Sequence, residues 1–243
     1  MPDHSATEGA LAAVAQSMPV SLSAFDPSAQ PTGLVIVDEV NGFATVGAGN
    51  LAPPAPNAQV TRMVEETVAL GRRFQSAGWP VLAFLDTHQP GKPEPPYPPH
   101  CEAGTGEEQL VPALEWLETE AAATLIRKDC INGFVGAIDG GRNRLVDWVN
   151  DNRLKAVLVV GICTDICVMD FVLTLLSARN HGMMPSLEDI VVYEPGCSTY
   201  DLPRAAAEQL GLPATAAHPQ DLAHHLGLYF MASRGALLAG SLQ

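Results

Sequence analysis

The first 61 residues contain neither Lys nor Arg. A secretory leader needs a basic start and an organellar transit peptide is rich in Arg, so neither is expected. Cations stay scarce beyond that point. Thirteen Lys and Arg stand against 27 Asp and Glu, a formal net charge of −14. Such a chain offers no basic face, and neither nucleic acid nor a membrane surface is expected as a partner. No apolar run reaches the roughly 18–20 residues of a membrane span. Five cysteines make an odd set. With no leader toward an oxidising compartment, free thiols and a cytoplasmic location are the expectation. Charged residues are only 16% of the chain while hydrophobic ones are 47%, which favours a folded core over disorder.

A chain of 243 residues is long enough for one sizeable α/β domain. Residues 1–31 are rich in Ala and Ser and end in Pro31, which suggests an N-terminal arm with one short helix. Residues 32–243 are expected to form a single domain. Short apolar runs predict strands over 33–37, 80–85, 123–127, 156–160 and 189–193. Helical spacing predicts helices over 58–77, with Asn57 as N-cap, and over 110–117, 144–150, 165–181, 203–210 and 219–227. Gly, Ala and Pro make 40–57 a loop, and Pro dominates a second loop over 89–106. Alternating strands and helices imply a mostly parallel central sheet with helices on both faces, a three-layer α/β/α fold.

In such a sheet, residues just past the carboxyl ends of the strands line the ligand crevice. Four predicted strands deliver reactive groups there: Asp38, then Asp86 with His88, then Lys128, then Cys167. Cys167 follows a strand that breaks at Gly161 and resumes as a helix. A helix start would favour its thiolate and supply N–H donors for an oxyanion. Asp86, His88 and His100 suit a borderline divalent ion, although two surface histidines in a Pro-rich loop would read the same way. Glu94 and Glu102 are further loop carboxylates that spacing does not assign. Cys163, four residues before Cys167, is only weakly supported as a metal or redox partner. Cys101, Cys130 and Cys197 look structural, and the His224–His225 pair looks like an exposed helix feature. Phe43, Tyr97 and Phe134 are either ordinary packing or a slot for a flat ring.

The ordered segments GLVIVDEVNGF, FLDTHQP, PYPPHCEAGT, RKDCINGF and GICTDICV, followed by IVVYEPGCSTYDLP and AHPQDLAHHLGLY, resemble the nicotinamidases of the isochorismatase-like cysteine hydrolases, and within them the plant type. The resemblance implies hydrolysis of nicotinamide to nicotinate and ammonia through a thioester, in NAD salvage. It implies Cys167 as nucleophile, Asp38 as general base and Lys128 as the third member of the triad. Asp86, His88 and His100 correspond to ligands of one divalent metal ion, zinc first, with iron or manganese as alternatives. The N–H groups of Cys163 and Cys167 correspond to the oxyanion hole, with a cis peptide between Ile162 and Cys163. Phe43 corresponds to an aromatic that stacks on the substrate ring. Tyr97 stands where many relatives carry Trp. A homo-oligomer is also implied. The rival readings are an amidohydrolase for an N-carbamoyl or ureide substrate, and a catalytically silent binding protein on the same fold.

Overall fold

A computed structural model describes residues 4–92 and 94–243, with helix side chains described from residue 8 onward. The chain opens with helix α1 (His4–Ser17), strands β1 (Ser23–Phe25) and β2 (Thr32–Val37), a one-turn α2 (Asn41–Ala44) and the long α3 (Ala58–Ala77). Next come β3 (Val81–Asp86), a 3-10 helix (Pro112–Thr119), β4 (Ala123–Lys128) and a one-turn α4 (Gly133–Gly136). A small hairpin of β5 (Ile138–Asp139) and β6 (Arg142–Asn143) leads into α5 (Arg144–Asp151) and β7 (Ala156–Ile162). A π-helical turn (Thr164–Val168) runs into α6 (Met169–Asn180), followed by β8 (Asp189–Ser198), α7 (Arg204–Gln209), α8 (Gln220–Ala232) and β9 (Leu237–Leu242). No helix among the described residues is long and apolar enough to cross a membrane.

Seven strands form one parallel sheet in the order β1-β9-β8-β7-β2-β3-β4. Strands β2, β3 and β7 are buried at every position, as parallel strands covered on both faces must be. Side-chain alternation divides their residues between two cores. Val35, Val37, Val157 and Val159 pack with Phe171, Val172 and Leu175 of α6. Leu34, Ile36, Leu158 and Val160 pack with Leu70 and Phe74 of α3. Helix α3 forms as its spacing predicts. The Asn57 side chain accepts the Val60 N–H at 3.0 Å, and Gly78 ends the helix in the left-handed region.

All five predicted strands are present. Strand β1, at the sheet edge, has only three residues, and β9 (LLAGSL) lacks both the β-branched residues and the alternation by which a strand is read. Strand β8 is longer than 189–193 because it continues through Pro195 and Gly196. The pairing with β7 is irregular there, and a Cβ on Gly196 would lie 2.6 Å from Val160 Cγ1. The chain from β2 turns first to β3 and β4 on one side, and β7 returns on the other. The order therefore reverses between β2 and β7, which opens the crevice where such sheets bind ligands.

Gly161 makes that crevice possible. It sits opposite Val37 in the register with φ 129°, and a Cβ there would lie 2.1 Å from the Val37 carbonyl oxygen. Gly161→Ala should force β2 and β7 apart one residue before Asp38. A loss of roughly 2–4 kcal/mol in urea unfolding is expected. An unchanged midpoint would show that the two strands can yield.

Glu39 is a second buried carboxyl close by. It is fully buried, and among the described residues its one side-chain hydrogen bond is donated by Thr67 Oγ1 at 2.6 Å. Loss of hydration pushes its carboxyl up to about 8 from an ordinary 4.5. The folded state thus keeps a proton that the unfolded state releases between those values. Stability is full below the window and falls as pH rises through it. Glu39→Gln keeps the Thr67 bond and should flatten this fall. Wild type should lose on the order of a few kcal/mol relative to the variant between the two ends of the window. Parallel stability curves for the two proteins would mean that Glu39 is charged in the fold.

Candidate active site

The strand ends place Asp38, Asp86 and Lys128 in one layer. Asp86 pairs with Lys128 in the β3–β4 register, and Asp38 follows the last residue of β2. Lys128 is fully enclosed. Its Nζ lies 2.8 Å from Asp38 Oδ2 and 2.9 Å from Asp86 Oδ1, and donates to the Cys130 carbonyl at 2.9 Å. One ammonium is therefore shared by two buried carboxylates. Burial alone would lower its pKa, but Asp38, Cys167 and Asp86 outweigh it and hold Lys128 charged.

Asp38 has a left-handed backbone, φ 56°, unusual for a residue with a side chain. No donor among the described residues is aligned for a hydrogen bond on either of its oxygens, despite the short approach of Lys128. The Cys167 thiol lies close enough to act on its proton affinity. Burial raises the Asp38 pKa and Lys128 pulls it partly back. A carboxylate with raised affinity for a proton is a better base than one in water.

Cys167 lies in the π-helical turn after β7 and is buried. Burial works against the thiolate that a helix start favours. It raises the Cys167 pKa well above its ordinary value, and Lys128 offsets this only in part against Asp38 and the other nearby groups. A base beside the sulfur eases loss of its proton. Cys163 caps the same turn, and the Ile162–Cys163 peptide is cis, as the resemblance implies. All five cysteines are free.

Asp86, His88 and His100 meet on the other side of Lys128. Their ligand atoms all lie within 4.8 Å of one another, and all three residues are buried. Asp86 Oδ2 lies 3.0 Å from His88 Nε2 and 3.2 Å from His100 Nε2. His100 Nδ1 donates to the Pro98 carbonyl at 2.8 Å, which leaves Nε2 as the ligating nitrogen. Two imidazoles and a carboxylate converging in a buried space fit a divalent ion. The reading of these histidines as surface residues is thereby excluded. Glu94 Oε2 stands 3.6 Å from both Nε2 atoms, whereas Glu102 is turned away to accept the Gly91 N–H at 2.9 Å. The two loop carboxylates are thus distinguished by position.

A partly open slot with a cavity volume of about 40 Å³ joins the thiol to the metal-ligand cluster. Phe43, Leu51, Ile131, Ile162 and Ile166 give it apolar walls, and Asp86, Glu94 and His100 give it a polar end. Phe43 and Tyr97 both line it, and the Phe43 ring lies 5.6 Å from that of His100. Phe134 instead packs in the α6-side core.

Sequence reasoning missed Tyr200, which lines the slot just past the end of β8. The rule that found Asp38 would have found it had β8 been read to its full length. His224 is also corrected. It is buried and shares a 2.8 Å hydrogen bond with Thr164 of the thiol-bearing turn, while the half-buried His225 Nε2 bonds the Met18 carbonyl at 2.9 Å. Its spacing with Gly227, Leu228 and Met231 on the buried face of α8 was the available signal.

A buried thiol beside a buried base at a sheet switch point is costly to maintain and useless to a binding surface. The fold is that of an α/β hydrolase, with a buried thiol and a buried carboxyl at its switch point. The isochorismatase domain model matches residues 32–222, and the chain belongs to that family. It is 58% identical over 205 residues to Nicotinamidase 1 of Arabidopsis thaliana, covering 84% of this chain and 83% of that protein. The nicotinamidase from Bacillus subtilis superposes with a TM-score of 0.63 at 22% identity, over 86% of this chain and 98% of that one. The pyrazinamidase of Pyrococcus horikoshii in complex with zinc superposes at 0.58 with 20% identity, over 86% and 98%. These two likenesses show the fold.

Proposed function

We propose that this protein hydrolyses nicotinamide to nicotinate and ammonia, with Cys167, Asp38 and Lys128 as its catalytic triad. The observation that carries this is Lys128 Nζ held between Asp38 at 2.8 Å and Asp86 at 2.9 Å, which ties the thiol site to the metal-ligand site across one ring-sized slot. The 58% identity to a protein named Nicotinamidase 1 supports the substrate.

Asp86, His88 and His100 would hold the metal, with Glu94 the next oxygen donor in reach. When bound, a divalent cation, zinc by preference and iron or manganese as alternatives, supplies a Lewis acid that can anchor the pyridine nitrogen. Phe43 and Tyr97 flank the ring. Fixing the carboxamide against the sulfur is worth on the order of several kcal/mol of barrier.

Asp38 takes the proton of the Cys167 thiol, and Lys128 keeps the resulting anions compatible at close range. Sulfur attacks the carboxamide carbon. The oxyanion is received by the N–H groups of Cys163 and Cys167 at the start of the turn. Asp38 returns the proton to the departing nitrogen, the C–N bond breaks and ammonia leaves. Water then adds to the thioester with Asp38 as base, the C–S bond breaks, and nicotinate leaves as Cys167 regains its proton. We place this reaction in NAD salvage in the cytoplasm, where five free thiols are at home.

Ammonia release from nicotinamide, measured with and without a chelator and followed by metal analysis, tests the reading. His88→Ala should lower metal content and weaken apparent substrate affinity by at least about 10–100-fold. A metal-depleted protein that still binds nicotinamide normally would refute the anchor. No ammonia from the metal-loaded protein would refute the activity.

A further inference from the structure

Next to the slot lies a cluster that the chemistry above does not use. Asp165 belongs to the turn that carries Cys167, yet both of its carboxylate oxygens are engaged by groups outside the triad. Its Oδ1 accepts from Thr199 Oγ1 at 2.7 Å and its Oδ2 from His218 Nε2 at 2.8 Å. His218 Nδ1 lies 2.8 Å from the Tyr200 carbonyl oxygen. Both imidazole nitrogens therefore face acceptors, an arrangement that favours the doubly protonated ring. Burial opposes that charge, but Asp165 and the Tyr200 carbonyl outweigh it.

The Tyr200 ring lies flat on the His218 ring, with centroids 3.8 Å apart and planes 13° from parallel. A cation under an aromatic face is held there electrostatically. The backbones are joined as well, through Leu202 N–H to the His218 carbonyl at 2.9 Å and His218 N–H to the Leu202 carbonyl at 2.7 Å. Behind the cluster, a Cβ on Gly227 would lie 2.8 Å from Asp165 Cα, so α8 backs the turn without a gap. Tyr200 is at the same time one of the residues that line the slot.

We propose that Tyr200 is a substrate-contacting wall of the slot, and that the His218–Asp165 pair is a positioning device that fixes this wall relative to Cys167. The inference rests on the proposed amidase activity and adds to it a determinant of ring specificity. Because Asp165 is two residues from Cys167 in sequence, one rigid turn sets both the sulfur and the wall. A wall already immobile before binding costs little ordering when the ring enters. It also limits which ring substituents fit.

The test is steady-state turnover of nicotinamide and of ring-methylated nicotinamides by the metal-loaded protein. Tyr200→Ala should raise KM for nicotinamide roughly 3- to 10-fold, the size of one aromatic contact, with kcat moved less. Tyr200→Phe, which keeps the ring face, should recover most of that loss. His218→Gln should raise KM in the same range and narrow the gap between nicotinamide and its methylated analogues. The double variant His218→Gln/Tyr200→Ala should be no worse than Tyr200→Ala alone, because His218 acts through Tyr200. A fully additive double variant overturns the proposal. So does His218→Gln with a lower melting temperature but wild-type KM, which would mark a structural role only. Should His218→Gln not fold, Asp165→Asn must show the same KM increase and the same non-additivity with Tyr200→Ala, and failure to do so overturns it equally. Absence of any wild-type turnover removes the activity itself, a result distinct from an active wild type with indifferent variants.

Discussion

Cys167→Ala abolishes ammonia release while the protein stays folded and keeps its metal: this is the expected result with the largest kinetic effect. The fall should be at least about 10⁴-fold, as for other nucleophiles that act as a unit with their base. No nearby group can replace the sulfur. Cys163 also lines the slot, but burial first, then the charge of Asp165, pushes its thiol up to about 12. Lys128 and Asp38 are engaged with each other. The structural cost of the substitution is modest, about 1 kcal/mol for a small buried group. Intact-mass measurement on acid-quenched turnover should show a substrate-derived acyl group on wild type and none on the variant. Ammonia release by Cys167→Ala within tenfold of wild type would eliminate the covalent route.

Lys128→Met carries the largest expected effect on stability. Its ammonium is the cation shared by the buried carboxylates of Asp38 and Asp86. Removing one partner of a buried pair leaves an uncompensated charge and costs about 3–5 kcal/mol. The pH dependence then has a definite sign. Without the ammonium only the Cys167 thiol opposes the burial that already raises Asp38, and the Asp86 charge adds to the rise, so its folded pKa stays above the unfolded value, about 3.9. The variant should therefore be relatively stable in mild acid and lose stability as pH rises through the folded value. Adding Asp38→Asn removes that charge and should restore stability near neutrality, but not turnover, because the base is gone. Urea unfolding of the single and double variants across pH checks this. A Lys128→Met protein as stable as wild type at neutral pH would show that the carboxylates have another counter-charge.

The candidate site residues that the fold brings together were legible because each ends a predictable run. Asp38, Asp86 and Lys128 directly follow or close apolar stretches, and Cys167 follows a stretch broken by Gly161. The helix-start argument at Cys167 covered one of two opposing effects. It weighed the local dipole and could not weigh burial, which depends on what the rest of the chain places over the sulfur. Spacing likewise could not separate Glu94 from Glu102. Both lie in the same Pro-rich loop, and only its folded path turns one toward the histidines and the other toward Gly91. Tyr200 escaped because Pro195 and Gly196 look like the end of a strand that in fact continues.

Local chemistry fixes what is written residue by residue: which stretches bury themselves as parallel strands, where the long helix begins at Asn57, and which reactive side chains stand at strand ends. Those follow from short-range sterics and from the cost of leaving apolar surface in water. Tertiary structure alone decided that β2 and β7 lie side by side, that one ammonium reaches both carboxylates, and that the thiol loses its hydration. Each of these depends on distances between residues far apart in the chain, and electrostatic energies inside a protein are set by such distances and by the water excluded around them.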